Sequence, residues 1–253
     1  MRDTRDMLLV LLSSLLMLTG CSRRDILDDY PVSGVEISLD WNGVTNKLPE
    51  GVRVIFYPKN AEGRKIDTYL SVKGGKVKVP PGRYSVVVYN YDTETVQIRG
   101  EEAYETIEAF TGHCNGLGIA GTEQLVWGPD PLYVVRIDDL KIENSEEELQ
   151  LNWKPKLVVK TYSFKLKVQG LEYVSSIVGS IEGMSSCYDL GLGCGKAGDS
   201  PIYFAARGSA GEVTGSFTVF GTSEGVISRA GNAIKLTLAF VKTDNKVQKM
   251  EVD

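Results

Sequence analysis

Apolar and polar positions alternate along this chain with the period of strands. Val35-Glu36-Ile37-Ser38-Leu39-Asp40-Trp41 alternates without fault, as a strand with one buried face requires. Val52-Arg53-Val54-Ile55-Phe56-Tyr57 and Lys76-Val77-Lys78-Val79 are rich in β-branched and aromatic residues and border proline or glycine. Pro80-Pro81-Gly82 predicts a turn, after which Arg83-Tyr84-Ser85-Val86-Val87-Val88-Tyr89-Asn90 resumes the strand pattern. Segments 132–137 and 149–153 close a first unit. Pro155 then denies a ladder donor and pushes its neighbour toward an extended linker, which sets the expected domain boundary between 154 and 155. The second unit opens with 157–168, where Tyr162, Phe164, Leu166 and Val168 share one face, and continues with 177–181, 202–206, 213–220, 234–240 and 246–252. With no amphipathic helical pattern between such short strands, the expected class is all-β: two tandem β-sandwiches, residues 34–154 and 155–253.

The first residues follow a different rule. Arg2 and Arg5 precede an unbroken run of apolar and small residues, 7–18, which meets Thr19-Gly20-Cys21. At roughly 1.5 Å per residue such a run spans on the order of 18 Å, short of the ~30 Å of a bilayer core, so a cleaved signal peptide over 1–20 is expected. Leu18-Thr19-Gly20-Cys21 resembles the bacterial lipobox, in which the cysteine thiol carries diacylglycerol. The resemblance implies lipid, palmitate among its acyl chains, on Cys21, and outer-membrane attachment with the leaflet left open. Several acyl chains on one residue hold a membrane far longer than a single chain does. Residues 21–33 are mostly polar, mixed in charge and carry Pro31, and read as a tether.

Composition removes one class of partner. The net charge is −5 and no basic cluster stands out, whereas nucleic-acid binding needs a basic face to replace condensed counterions.

Several of these segments together carry a resemblance. Residues 35–57, Pro80-Pro81-Gly82-Arg83-Tyr84, Tyr89-Asn90-Tyr91-Asp92-Thr93-Glu94 and Arg99-Gly100 resemble a family of Bacteroides-group lipoproteins related to fimbrillins and their anchor subunits. Ile181-Glu182-Gly183-Met184 and Gly215-Ser216-Phe217-Thr218-Val219-Phe220-Gly221 extend the likeness over 34–253. The family implies two transthyretin-like (Greek-key) sandwiches, no catalytic residues, no cofactor, and other fimbrial subunits as partners. Its relatives polymerise by losing an N-terminal strand at an arginine-directed cut and accepting a neighbour's strand. Here Arg23 and Arg24 lie in the tether and the next arginine, Arg53, lies inside an expected strand. A chain that keeps its lipid and its first strand follows, acting as an anchor or accessory subunit.

Chemistry on this scaffold finds little purchase. His113-Cys114 could pair as base and thiolate, but neighbours in extended backbone point to opposite sides, and the chain has no other histidine. His113, Cys114, Cys187 and Cys194 are the right types for zinc but lack close-spaced ligand pairs, so no metal site is expected. Cys187 and Cys194 flank a glycine-rich loop and form a candidate disulfide, with two thiols as the alternative. The stretch 112–121 is glycine-rich without the lysine of a phosphate loop. The pairs Glu101-Glu102 and Asp138-Asp139, and the run Glu146-Glu147-Glu148, read as solvated acids. A surface glycan-binding lipoprotein is the alternative function, with Trp41, Trp127, Tyr91 and Tyr133 as stacking faces.

Overall fold

In the computed structural model, which describes residues 33–60, 63–114, 124–196, 200–221 and 234–252, the first alternating segment forms β1 (Ser33–Leu39). Val35, Ile37 and Leu39 are buried while Ser38 on the opposite face is exposed, the outcome a period of two dictates. β2 (Gly51–Pro58), β3 (Ile66–Ser71), β4 (Gly74–Val79) and β5 (Gly82–Asn90) follow. Next come β6 (Val96–Arg99), β7 (Glu108–Thr111), β8 (Val126–Trp127), β9 (Tyr133–Ile142), β10 (Leu149–Trp153) and β11 (Lys156–Leu157). Eight of these form one sheet in the order β10-β1-β4-β3-β2-β5-β9-β11.

The centre of this sheet is buried on both faces, which explains its unbroken apolar runs. Val54 and Phe56 of β2 and Val86 and Val88 of β5 pack with Val35, Ile37, Val77, Val79 and Trp153, so the β10-β1-β4 side lies over the β2-β5-β9 side in one core. Ile55, Tyr57, Val87 and Tyr89, the residues between them, face a second core with Val96, Ile107, Ala109 and Leu190. The expected turn at Pro80-Pro81-Gly82 is fastened by the Tyr84 hydroxyl, which donates to the Pro80 carbonyl at 2.9 Å. Gly74 opens β4 at φ +100, where a Cβ would lie 2.0 Å from the Ile37 carbonyl oxygen, so only glycine lets β4 approach β1 this closely.

The rest of the chain supplies β12 (Lys160–Lys167), a 3-10 turn at Leu171–Tyr173, β13 (Val174–Glu182), β14 (Cys187–Asp189), β15 (Cys194–Lys196), β16 (Ile202–Ser209), β17 (Glu212–Val219), β18 (Lys235–Lys242) and β19 (Val247–Val252). A second large sheet runs β12-β17-β16-β13-β18-β19, and Ile177, Ile202, Phe204, Phe217, Leu238 and Phe240 bury its inner face. Of the last two strands, β18 pairs with β13 and β19 pairs with β18, inside their own sheet.

The expected division between 154 and 155 is crossed three times. β11 pairs with β9 of the first sheet, β8 joins β16 of the second, and the β14–β15 hairpin adds to β7 and β6 in a four-stranded sheet. Pro155 removes a single donor, and pairing resumes one residue later at Lys156. The segment 157–168 is divided between β11 and β12, because Val159 turns into the core behind β2 and β5 before β12 begins in the other sheet. Ser33 onward is one compact unit.

Candidate functional site

The feature that most constrains function is the seating of β1. It runs parallel to β10, in register from Val35↔Leu149 to Leu39↔Trp153, and antiparallel to β4, from Ser33↔Val79 to Ser38↔Gly74. Both backbone edges are therefore satisfied, and the ladder continues past the strand where Asp40 N–H donates to the Trp153 carbonyl at 2.8 Å. At the other end the Ser33 hydroxyl donates to the Glu143 carbonyl at 2.7 Å. On the outer face Gln150 Nε2 donates to Glu36 Oε2 at 2.9 Å, and Lys76 Nζ donates to both Glu148 oxygens at 2.8 and 2.7 Å. The Glu148 side chain crosses Gly34 to reach that lysine, and its hydrogen bond and charge raise the Lys76 pKa. An interior strand of the eight-stranded sheet thus directly follows residues 21–32.

Arg53 marks the next functional question. It lies in β2 with partners on both sides, β3 and β5. Its guanidinium donates to Asp67 at 2.8 and 2.6 Å and to Glu101 and the Tyr89 hydroxyl, and it lies over the Tyr69 ring. The Asp67 hydrogen bond outweighs desolvation and raises its pKa, while burial pushes the Tyr57 and Tyr89 hydroxyls well above their ordinary values. This network ties the 100–106 loop to β2, β3 and β5. Both of its acids, Asp67 and Glu101, are ion-paired with Arg53, and Glu101 also accepts from the Tyr89 hydroxyl at 3.1 Å.

Three further acids singled out in the sequence are paired too. Glu102 meets Lys65 at 3.4 Å, Asp138 accepts from Tyr104 and Arg136 at 2.6 Å each, and Asp139 meets Arg83. Burial, then the Asp138 hydrogen bond, pushes the Tyr104 hydroxyl up to about 12. His113 is exposed while Cys114 beside it is buried, and burial pushes that thiol up, away from the thiolate a nucleophile needs. Most of the 112–121 stretch and all of 1–32, including Cys21, lie outside the described residues.

Cys187 and Cys194 sit in one hairpin, in β14 and β15. Cys187 is opposite Lys196 and Asp189 is opposite Cys194, so the two cysteines share a face as diagonal neighbours. Burial pushes the Cys187 thiol up. The hairpin also has a fastening that composition did not reveal: Lys196 donates to Glu108 of β7 at 2.7 Å and meets Asp189 at 3.1 Å, while Arg99 of β6 pairs with Glu108.

Of the four aromatic faces, two are engaged in packing. Trp41 donates from Nε1 to the Val72 carbonyl at 2.6 Å and meets the buried Tyr133 edge-to-face. Trp127 is 44% exposed beside Tyr203, and Tyr91 is 46% exposed beside Tyr69, itself 60% exposed. Sequence reading missed Tyr69. Its position in the polar phase of Ile66-Asp67-Thr68-Tyr69-Leu70-Ser71 was the available signal.

Comparison with known proteins agrees with this architecture. The family model of a domain of unknown function (DUF5119) matches residues 20–205. A Bacteroides ovatus protein described as a fimbrium anchoring subunit, Fim4B, is 63% identical over 265 aligned positions, covering 100% of this chain and 80% of that protein. A crystal structure described as an adhesin from Bacteroides ovatus is 60% identical with a TM-score of 0.83, covering 93% of this chain and 87% of its own. The fimbrial anchor protein Mfa2 of Porphyromonas gingivalis, 11% identical, shares the fold at a TM-score of 0.51, covering 88% of this chain and 81% of that one.

Proposed function

The chain belongs to the DUF5119 family, and on that premise we propose that it is a non-enzymatic fimbrial subunit, the anchor or an accessory piece at the membrane end of a fibre. The single observation that carries this reading is the seating of β1. A strand held between β10 and β4, with Val35 and Ile37 each 1% exposed, is an integral part of the fold of the uncut chain. In a subunit that polymerises by losing its first strand, that slot is emptied and refilled by a neighbour through β-augmentation. Emptying it here requires a cut beyond β1, and the first arginine there, Arg53, is locked in β2 by Asp67 and Glu101. A cut at Arg23 or Arg24 leaves β1 in place. The final strands β18 and β19 complete their own sheet and are not held out for a neighbour.

Residues 1–20 as a signal peptide, lipid on Cys21, and a cell-surface or outer-membrane position complete the proposal. The relatives' descriptions as a fimbrium anchoring subunit and an adhesin support it. The glycan-binding alternative is weakened by the packing of Trp41 and Tyr133. Affinity capture of the tagged chain from intact cells after mild cross-linking tests the proposal. Fimbrial subunits should dominate the captured proteins, and a capture without them, from cells bearing fibres, overturns it.

A further inference from the structure

The way β1 is seated determines how the fold answers a pull. Tension reaching Ser33 from residues 21–32 draws β1 along its own axis, from Leu39 toward Ser33. Its parallel neighbour β10 runs the same way and leaves through Lys154 and Pro155 toward the second large sheet. A counterforce carried along the chain from residues 158–252 passes through β11, paired with β9, and enters β10 at the end opposite to the one where β1 is pulled. Two parallel strands drawn from opposite ends are loaded in shear, so the bonds between them share the force and yield together. Strands drawn from the same end peel, one bond at a time.

Other contacts make β1 the element that must slide. β4 grips its second edge along Ser33 to Ser38, and Val35, Ile37 and Leu39 are set in the core. β11, β8 and the β14–β15 hairpin bind the two large sheets together, so the remainder of the chain resists as one body. The Glu148–Lys76 ion pair crosses β1 at Gly34, next to the residue where force enters. A Cβ at position 34 would lie 3.0 Å from Glu148 Cγ, and glycine leaves that strap its path.

We propose that β1, held between β10 and β4 and strapped by Glu148 and Lys76, is a mechanical clamp that bears tension between the N-terminal tether and the second large sheet. The proposal rests on the anchor reading for the source of the tension, while the clamp itself is a property of the isolated chain.

Single-molecule force spectroscopy on the chain from Cys21 to its end tests it, with one handle always at the C-terminus. The second handle is placed ahead of Ser33 in one sample, and at Gly43, in the turn after β1, in the other. From Gly43 the pull reaches the Leu39 end of β1, the same end at which β10 leaves, so the pair peels. Forced unfolding follows the unfolding barrier along the pulled coordinate, and the rupture force from Ser33 should exceed that from Gly43 by at least about twofold at equal loading rate. Equal forces, or a weaker rupture from Ser33, overturn the clamp. Urea unfolding of both tagged proteins establishes that each is folded before pulling. A failed force comparison leaves the anchor reading standing, since that reading is decided by the cross-linked capture.

Discussion

Lys196 donates to Glu108 at 2.7 Å, so a lysine in the β14–β15 hairpin holds a carboxylate of β7, which lies 88 residues earlier in the chain. The Glu108 side chain is 12% exposed and that of Asp189, the second partner of Lys196, is 2% exposed. Removing the ammonium leaves two little-solvated acids side by side with Arg99 as the remaining cation. Lys196→Met should cost about 1–3 kcal/mol in urea unfolding, and Lys196→Arg should recover most of it. Equal stability of the methionine variant and the parent would show that the hairpin is held by its ladder and apolar contacts alone.

The same cluster gives a pH dependence. Burial by itself would raise the Glu108 pKa, but hydrogen bonds and charge from Lys196 and Arg99 more than offset it and hold the carboxyl below its ordinary 4.5. The folded value is the depressed one. The stabilisation is thus complete above the ordinary value and lost as pH falls through the folded value. Unfolding midpoints should be level from about pH 7 to about pH 5 and drop below about pH 4, with a smaller drop in Lys196→Met. The same acid dependence in both proteins would assign it to other groups.

The clamp strand gives a third expectation. Ile37 is 1% exposed and packs in the core between the two sides of the folded sheet, so Ile37→Ala should destabilise by about 2–5 kcal/mol. Ser38, exposed on the opposite face, should accept alanine within about 0.5 kcal/mol. Denaturant midpoints of the pair read the asymmetry directly, and similar losses at both positions would contradict the burial pattern of β1.

The strands were legible because their signal is local. Period-two alternation at 35–41 and the segment 149–153 reappear as β1 and β10, and the Pro80-Pro81-Gly82 turn stands where the residues place it. Pairing between distant strands leaves no local trace. Nothing in Val126-Trp127 indicates that it will join β16, and nothing in Cys187-Tyr188-Asp189 points to β7, so the pairings that cross between the two halves could not be read from the sequence. The Arg53 network was equally silent, since its three charges lie up to 48 residues apart. Its place inside a strand was readable from Val52 to Tyr57, and that part informs the anchor reading.

Attachment can be tested separately from the fold. Cys21→Ala should move the protein from the membrane to the soluble or shed fraction with its unfolding midpoint unchanged, because acyl chains supply attachment and every core described above is built from residues 35 onward. Membrane retention at the parental level would exclude Cys21 as the attachment point.

The most direct test of the central claim is peptide mass spectrometry on the protein recovered from purified fibres and from cell membranes. An anchor that keeps its first strand should yield an acylated N-terminal peptide beginning at Cys21 and, from the same fibre-associated material, peptides covering β1 from Ser33 to Leu39. Recovery from sheared fibres of a chain lacking residues 21–52 would show that the slot between β10 and β4 is emptied for a neighbour, and would make this protein a stalk subunit.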